Sequence, residues 1–165
     1  MIQRNEGRIL QVGSEVSKAP APLLSVYAAS KAFHLSFTEA LINEVKDTNV
    51  TLTLLMPGAT DTDFFRKAEA EDTVNYREKE LGSPEEVATD AFDALMKGER
   101  RVVSGAKMHV AMSSVLPDHT VAGNLRKQME PSTKPGGRTE PDHIPSKEER
   151  DLYKKESQEV KNKRP

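Results

Sequence analysis

Two stretches, RILQV at 8–12 and VTLTLLM at 50–56, limit the architecture of this chain more than any other feature. Each is a short β-branched and apolar run closed by turn formers, Gly13-Ser14 after the first and Pro57-Gly58 after the second. Continuous runs of this kind read as strands buried on both faces, the pattern of a parallel sheet. Between them, Ser25 can cap a helix running to about Lys46, with Ala28, Ala32, Leu35 and Ile42 along one face. Phe33, Phe37 and Leu41 widen the apolar arc, so this helix is expected to be covered on more than one side. Strand, helix, strand at this spacing is a βαβ unit, which requires parallel strands.

The remaining segments extend the same α/β alternation. Pro20 and Pro22 make Glu15 to Leu24 a loop, and PGATDTD at 57–63 is another. The charged stretch 64–80 is expected to be helical in part. Ser83-Pro84-Glu85-Glu86 is a compact helix start, with a serine cap, proline at the first helical position and glutamate at the third. That helix should stop at Gly98, a residue suited to a left-handed cap. RVVSG at 101–105 reads as a third strand and 108–116 as a last short helix. From about Glu130 the chain carries Pro, Gly and charge with almost no large apolar residue. The expected division is a folded unit at 1–128 and a disordered charged tail at 129–165, in which 147–161 could turn helical on docking.

Composition narrows the function classes. Among 165 residues the net charge is −2, with no one-sided basic run of the kind nucleic acid attracts. There is no cysteine, which excludes disulfides and thiolate metal sites. No apolar run approaches the roughly 20 residues that span a bilayer. The expectation is a cytoplasmic protein with no nucleic-acid or membrane partner. His34, His109, His119 and His143 lack metal-ligand spacing, and no metal site is expected. Asp61 and Asp63 read as turn residues, Glu85-Glu86 as a helix start, and Phe64-Phe65 as pocket or lid contacts.

Three segments converge on one edge. Ser14 ends the first strand, Tyr27 opens the helix, Lys31 lies one turn further on, and Pro57-Gly58 closes the next strand with Thr60 and Thr62 behind it. Ligands of open α/β sheets bind outside the carboxyl ends of the strands, which is where all of these residues lie. A Tyr-x-x-x-Lys pair alone is common in helices; the convergence is what carries weight. In this combination, Ser-x12-Tyr-x3-Lys followed by PG-x-x-x-T, the stretch from GRILQVGSEVSK to LMPGATDTDFF resembles the classical short-chain dehydrogenases/reductases, and SPEEVA at 83–88 fits the family's next region. The resemblance covers roughly residues 7 to 105. It implies part of a Rossmann-like doubly wound parallel sheet.

The resemblance also implies roles. Reducing a ketone by hydride places negative charge on the carbonyl oxygen, so an acid must protonate it. A free tyrosine, with a pKa of about 10, exchanges protons poorly near neutrality, and a nearby ammonium favours its phenolate. By resemblance Tyr27 is the general acid/base, Lys31 its electrostatic partner and a donor to the nicotinamide ribose, and Ser14 the hydroxyl that orients the carbonyl. Tyr27, Lys31, Pro57, Gly58, Thr60 and Thr62 would contact NAD or NADP, and the substrate would be a small alcohol or carbonyl compound. Related proteins pair through the helix that carries the tyrosine, which implies a homo-oligomer through the Tyr27 helix.

One departure is large. No G-x-x-x-G-x-G or G-x-G-x-x-G occurs anywhere in the sequence, and the Asn-Ala-Gly turn of the family is also absent. The resemblance begins at the family's fifth strand, so the adenine-binding half has no counterpart in these residues. The chain by itself is therefore expected to bind no nicotinamide nucleotide. This departure opens a second reading, that of a truncated, catalytically silent fragment acting as an interaction module. An extended-type epimerase or dehydratase sharing the Tyr and Lys is a weaker third, because no sugar-nucleotide pattern comes after PGATDT.

Overall fold

In the computed structural model, which describes residues 1–133, both apolar runs are strands of one parallel sheet. β1 (Gly7–Val12) and β2 (Val50–Pro57) pair in register from Gly7↔Val50 to Val12↔Leu55. β3 (Arg101–Ser104) joins the other side of β2, from Leu54↔Arg101 to Pro57↔Ser104, so the order is β1-β2-β3. The central strand is the most enclosed, with Leu54 and Met56 both 0% exposed. That is the burial expected of a strand covered on both faces; β1 departs from the expectation, with no buried residue and Val12 50% exposed at its end.

Alternation along β2 divides its side chains between two layers. On one face, Ile42, Val50 and Leu52 pack with Ile9, Leu41 and Val45, and Leu54 and Met56 pack with Val110, Leu35 and Val103. That layer is α1 (Ser25–Glu44) and α5 (Lys107–Ser113). On the other face, Thr53 donates to the carbonyl of Glu99 at 2.7 Å, just beyond α4 (Pro84–Lys97). The short helices α2 (Phe64–Lys67) and α3 (Val74–Arg77) break up the segment that was expected to be helical in part. No helix among the described residues is long and apolar enough to cross a membrane.

The ends of α4 match the sequence closely. The Ser83 hydroxyl accepts from the N–H groups of Glu85 and Glu86 at 3.2 and 3.4 Å, Pro84 opens the helix, and Gly98 closes it at φ 70°. Removing such a cap costs about 1 kcal/mol, so Ser83→Ala should lower stability by that amount in urea unfolding at neutral pH. The same hydroxyl donates to the Glu85 carboxylate at 2.7 Å. That bond, and then the backbone N–H, hold Glu85 below the usual carboxylate range. A carboxyl lowered in the folded state stabilises above its unfolded pKa and loses that contribution as pH falls through the folded value. The deficit of Ser83→Ala should therefore shrink in acid.

Three expectations change. Ser25 is not the cap of α1: the cap position is Leu24, with no side-chain bond, and Ser25 is already helical. The backbone turns at Leu23, φ 69°, so the Leu24 carbonyl already accepts the first helical bond from Ala28 at 2.8 Å. The helix also ends at Glu44, two residues before Lys46. The buried line on α1 is Ala28, Thr38 and Ile42 with Leu35 half-buried, and Ala32 is exposed. At 3.6 residues per turn, Ala32 falls about 40° to one side of Ala28, while the others fall about 20–80° to the opposite side.

The outer face of α1 carries Phe33 and Phe37, 64% and 44% exposed, with their rings stacked 5.6 Å apart. A further helix, α6 (Asp118–Met129), comes after the one expected to be last. Beyond it, Val74 donates to Glu130 at 3.0 Å and Ser132 to Asp72 at 2.8 Å, so backbone past residue 128 is tied to the α2–α3 region. The tail expected at 129–165, its inducible helix at 147–161 and His143 lie, from residue 134 onward, outside the described residues.

Candidate active site

β1 leaves the sheet through Gly13, whose N–H donates to the Leu55 carbonyl at 2.8 Å. A Cβ at this position would come within 3.1 Å of that same oxygen, so the close strand crossing favours glycine. Ser14 is next, buried, as the cap of a 3-10 turn at Glu15–Lys18. Its N–H donates to the Ser17 hydroxyl at 3.1 Å, and its own Oγ accepts from Val16 at 3.4 Å. Among the described residues the Ser14 hydroxyl acts only as an acceptor, which leaves its proton free to donate to a ligand.

Tyr27 occupies the first turn of α1, with its ring 5.2 Å from that of Phe64. The Lys31 ammonium lies 5.5 Å from the centre of the Tyr27 ring and donates to the Val12 carbonyl at 3.0 Å. One side chain thus links the end of β1 to the helix that carries the phenol. The next residues along α1 are small: Ala28 packs on Val16 and Ala21, while Ala29 and Ser30 are exposed.

The loop after β2 forms the facing wall. The Gly58 N–H donates to the Ser104 carbonyl at 2.9 Å, and the Ser104 hydroxyl donates to Asp90 of α4 at 2.7 Å. A Cβ on Gly58 would lie 3.0 Å from that of Ala106, so this crossing also favours glycine. Thr60 donates to the Gly58 carbonyl at 2.9 Å, and the Thr62 hydroxyl accepts from Phe64 at 3.3 Å. No backbone carbonyl among the described residues takes the N–H of Thr60 or Thr62.

A single cavity of about 670 Å³ is lined by Ser14, Tyr27, Lys31, Pro57, Gly58, Thr60 and Thr62 together. The residues to which the resemblance assigns roles therefore border one space. Phe64 and Phe65 border it as well. The other candidates lie elsewhere or bond otherwise. Asp63 pairs with Arg66 at 2.8 Å, and no group of three or more metal-ligating side chains occurs among the described residues.

Two contributions had little or no signal in the sequence. Glu15 lines the cavity beside Ser14, with its side chain only 13% exposed, and takes His109 Nδ1 at 2.8 Å. Burial pushes the Lys79 ammonium below the usual lysine range, and Glu15 pulls it the other way. The second contribution is α6, which adds Leu125, Gln128 and Met129 to the cavity wall. Its available signals were Pro117-Asp118 as a helix start and Val121, Leu125 and Met129 at four-residue spacing.

The residues present fit one end of a nicotinamide dinucleotide. Lys31 suits ribose hydroxyls, and the threonine hydroxyls and loop N–H groups match a carboxamide, which both donates and accepts. Nothing in the sequence offers the glycine-rich cradle that a pyrophosphate needs.

Residues 1–73 match the family model described as short chain dehydrogenase. The chain is 32% identical over 108 residues to Dehydrogenase/reductase SDR family member 7B of Rattus norvegicus, covering 62% of this chain and 33% of that protein. It is 31% identical over 114 residues to the 3-oxoacyl-[acyl-carrier-protein] reductase FabG of Vibrio cholerae, covering 67% and 46%. A short chain dehydrogenase from Burkholderia cenocepacia, solved in complex with NADP, matches with a TM-score of 0.60 at 23% identity, covering 75% of this chain and 49% of that one. One from Burkholderia phymatum, solved with NAD, matches with a TM-score of 0.59 at 19% identity, covering 81% and 54%. These likenesses establish a Rossmann-type α/β fold. The chain spans between a third and about half the length of these proteins.

Proposed function

We propose, from the match of residues 1–73 to the short chain dehydrogenase model and the likeness to short-chain dehydrogenase/reductase relatives, that this chain is part of a short-chain dehydrogenase/reductase whose cavity interconverts an alcohol and a carbonyl compound in partnership with NAD or NADP. The observation that carries the reading is the single cavity shared by Ser14, Tyr27 and Lys31, which arrive from a strand end and a helix. When bound, the nicotinamide supplies or takes the hydride.

The chain's own residues manage the oxygen and its proton. In reduction, the free Ser14 proton is donated in a hydrogen bond to the substrate's carbonyl oxygen and fixes its position. As the oxygen gains negative charge, the Tyr27 hydroxyl transfers its proton to it, and the product is the neutral alcohol. The nearby Lys31 ammonium stabilises the phenolate left behind, and its bond to Val12 keeps it from drifting into solvent. In oxidation the same groups act in reverse. Pro57, Gly58, Thr60 and Thr62 would hold the carboxamide end of the dinucleotide, and Lys31 would hold its ribose. The phosphate end needs a glycine-rich segment that these residues do not contain.

A second reading, a silent interaction module, is favoured by that missing segment and by the stacked Phe33–Phe37 pair on the outer face of α1. The same pair supports association of two copies through the Tyr27 helix. Nicotinamide-dependent turnover of a ketone panel by the whole gene product separates the two readings. Reduction that depends on Tyr27 supports the enzyme, and absence of turnover with either nucleotide leaves the module.

A further inference from the structure

The cavity extends past the reacting groups toward α6, a helix outside the stretch that the family model matches. Leu125 packs against the Val16, Ala21 and Ala28 cluster beside Leu24 and Tyr27. Met129, one turn later, packs against Phe65, Ala70 and Leu81 beside Ala59 and Tyr76. One face of α6 thus joins the cluster under Tyr27 to the cluster under Phe65 and closes the space between them. The helix is held at its end by the bonds of Glu130 and Ser132 to the α2–α3 segment, where the Ser132 hydroxyl also donates to Glu78 at 2.7 Å. A wall fixed at both clusters can select by shape, because it does not simply yield to a misfitting ligand.

The chemistry of this wall is apolar with one exception. Leu24, Phe64 and Leu125 offer carbon surface near Tyr27, Met129 extends it toward Phe65, and Gln128 is the one polar side chain that α6 adds to the cavity lining. Gln128 is half-buried, and its carboxamide has no hydrogen-bond partner among the described residues. An unpaired amide at an apolar wall is suited to a single polar group on an otherwise apolar ligand.

We propose that α6 is the substrate-selecting wall of the site. Leu125 and Met129 bury the apolar chain of a carbonyl substrate whose reacting end lies at Tyr27, and Gln128 hydrogen-bonds a hydroxyl or carbonyl part-way along that chain. The substrate class is therefore an alkyl ketone, or its secondary alcohol, rather than a small polar or sugar-like compound. This deepens the reading above and rests on it.

The test uses binding, which needs no turnover. The 165-residue chain is titrated calorimetrically with methyl n-alkyl ketones from propyl to nonyl. Affinity should rise about fourfold per added methylene while the chain is being buried. Leu125→Ser and Met129→Ser should flatten the series. Gln128→Leu should keep that slope and lose the preference for a ketone that carries a mid-chain hydroxyl. Lys127→Ala, on the exposed face, should leave the whole series unchanged, and the amide resonance of Val121 reports whether α6 is still folded in each variant. A flat series, no binding at any length, or an unchanged slope in a folded Leu125→Ser variant would overturn the proposal. Length-dependent binding without turnover of any ketone by the whole gene product would instead sink the reaction and leave the wall standing.

Discussion

Tyr27→Phe should cut ketone reduction by the whole gene product by about a hundred to ten-thousandfold, the range expected when a positioned acid is removed. The substitution deletes one oxygen and nothing else. The ring keeps its contact with Phe64, and Lys31 keeps its bond to Val12. The loss should therefore fall on kcat, with the KM for the ketone little changed, because the phenol acts mainly on charge that develops in the transition state. Steady-state kinetics with a saturating nucleotide would show this split. A variant that retains near wild-type kcat would remove Tyr27 from the proton-transfer step.

The second large effect concerns stability. Leu54→Ala should cost about 3–4 kcal/mol, since it deletes a fully enclosed side chain from a site with little freedom to collapse. Leu54 is 0% exposed and packs with Met56 and Val110, against Leu35 of α1 and Val103 of β3. Those neighbours come from α1, α5, β3 and the strand itself, so the cavity would open where the sheet meets the α1–α5 layer. Against a whole-domain stability of about 5–15 kcal/mol, this is a large fraction. Urea unfolding tracked by circular dichroism would measure it, with Phe92→Ala as the comparison. Phe92 is 61% exposed and its removal should leave the midpoint almost where it was.

The strands and α4 were legible because their signals are local. A β-branched run with a turn former behind it, or a serine cap ahead of proline and glutamate, needs no distant partner to act. The grouping of the candidate residues was legible for a different reason. Ser14, Tyr27, Lys31 and the Pro57-Gly58 loop lie at strand ends and a helix start, and the parallel topology alone brings those points to one edge. What could not be read depended on tertiary context. Whether Ala32 or Thr38 is buried is decided by how α1 is rotated on the sheet. The start of α1 was moved by a left-handed turn at Leu23, a residue type that gives no warning of it. α6 escaped notice because its apolar residues are few and gain meaning only from the clusters around Val16 and Phe65. The burial of Glu15 depends on His109, distant in sequence and brought near by α5.

The most direct test is to bind a methyl ketone with an isotopically labelled carbonyl carbon to the chain and track that carbon by NMR. Two hydroxyls converging on one oxygen should draw its resonance downfield on binding, and Ser14→Ala and Tyr27→Phe should each take back part of that displacement. A bound ketone whose carbonyl signal ignores both substitutions would mean that serine and tyrosine do not meet at a common oxygen.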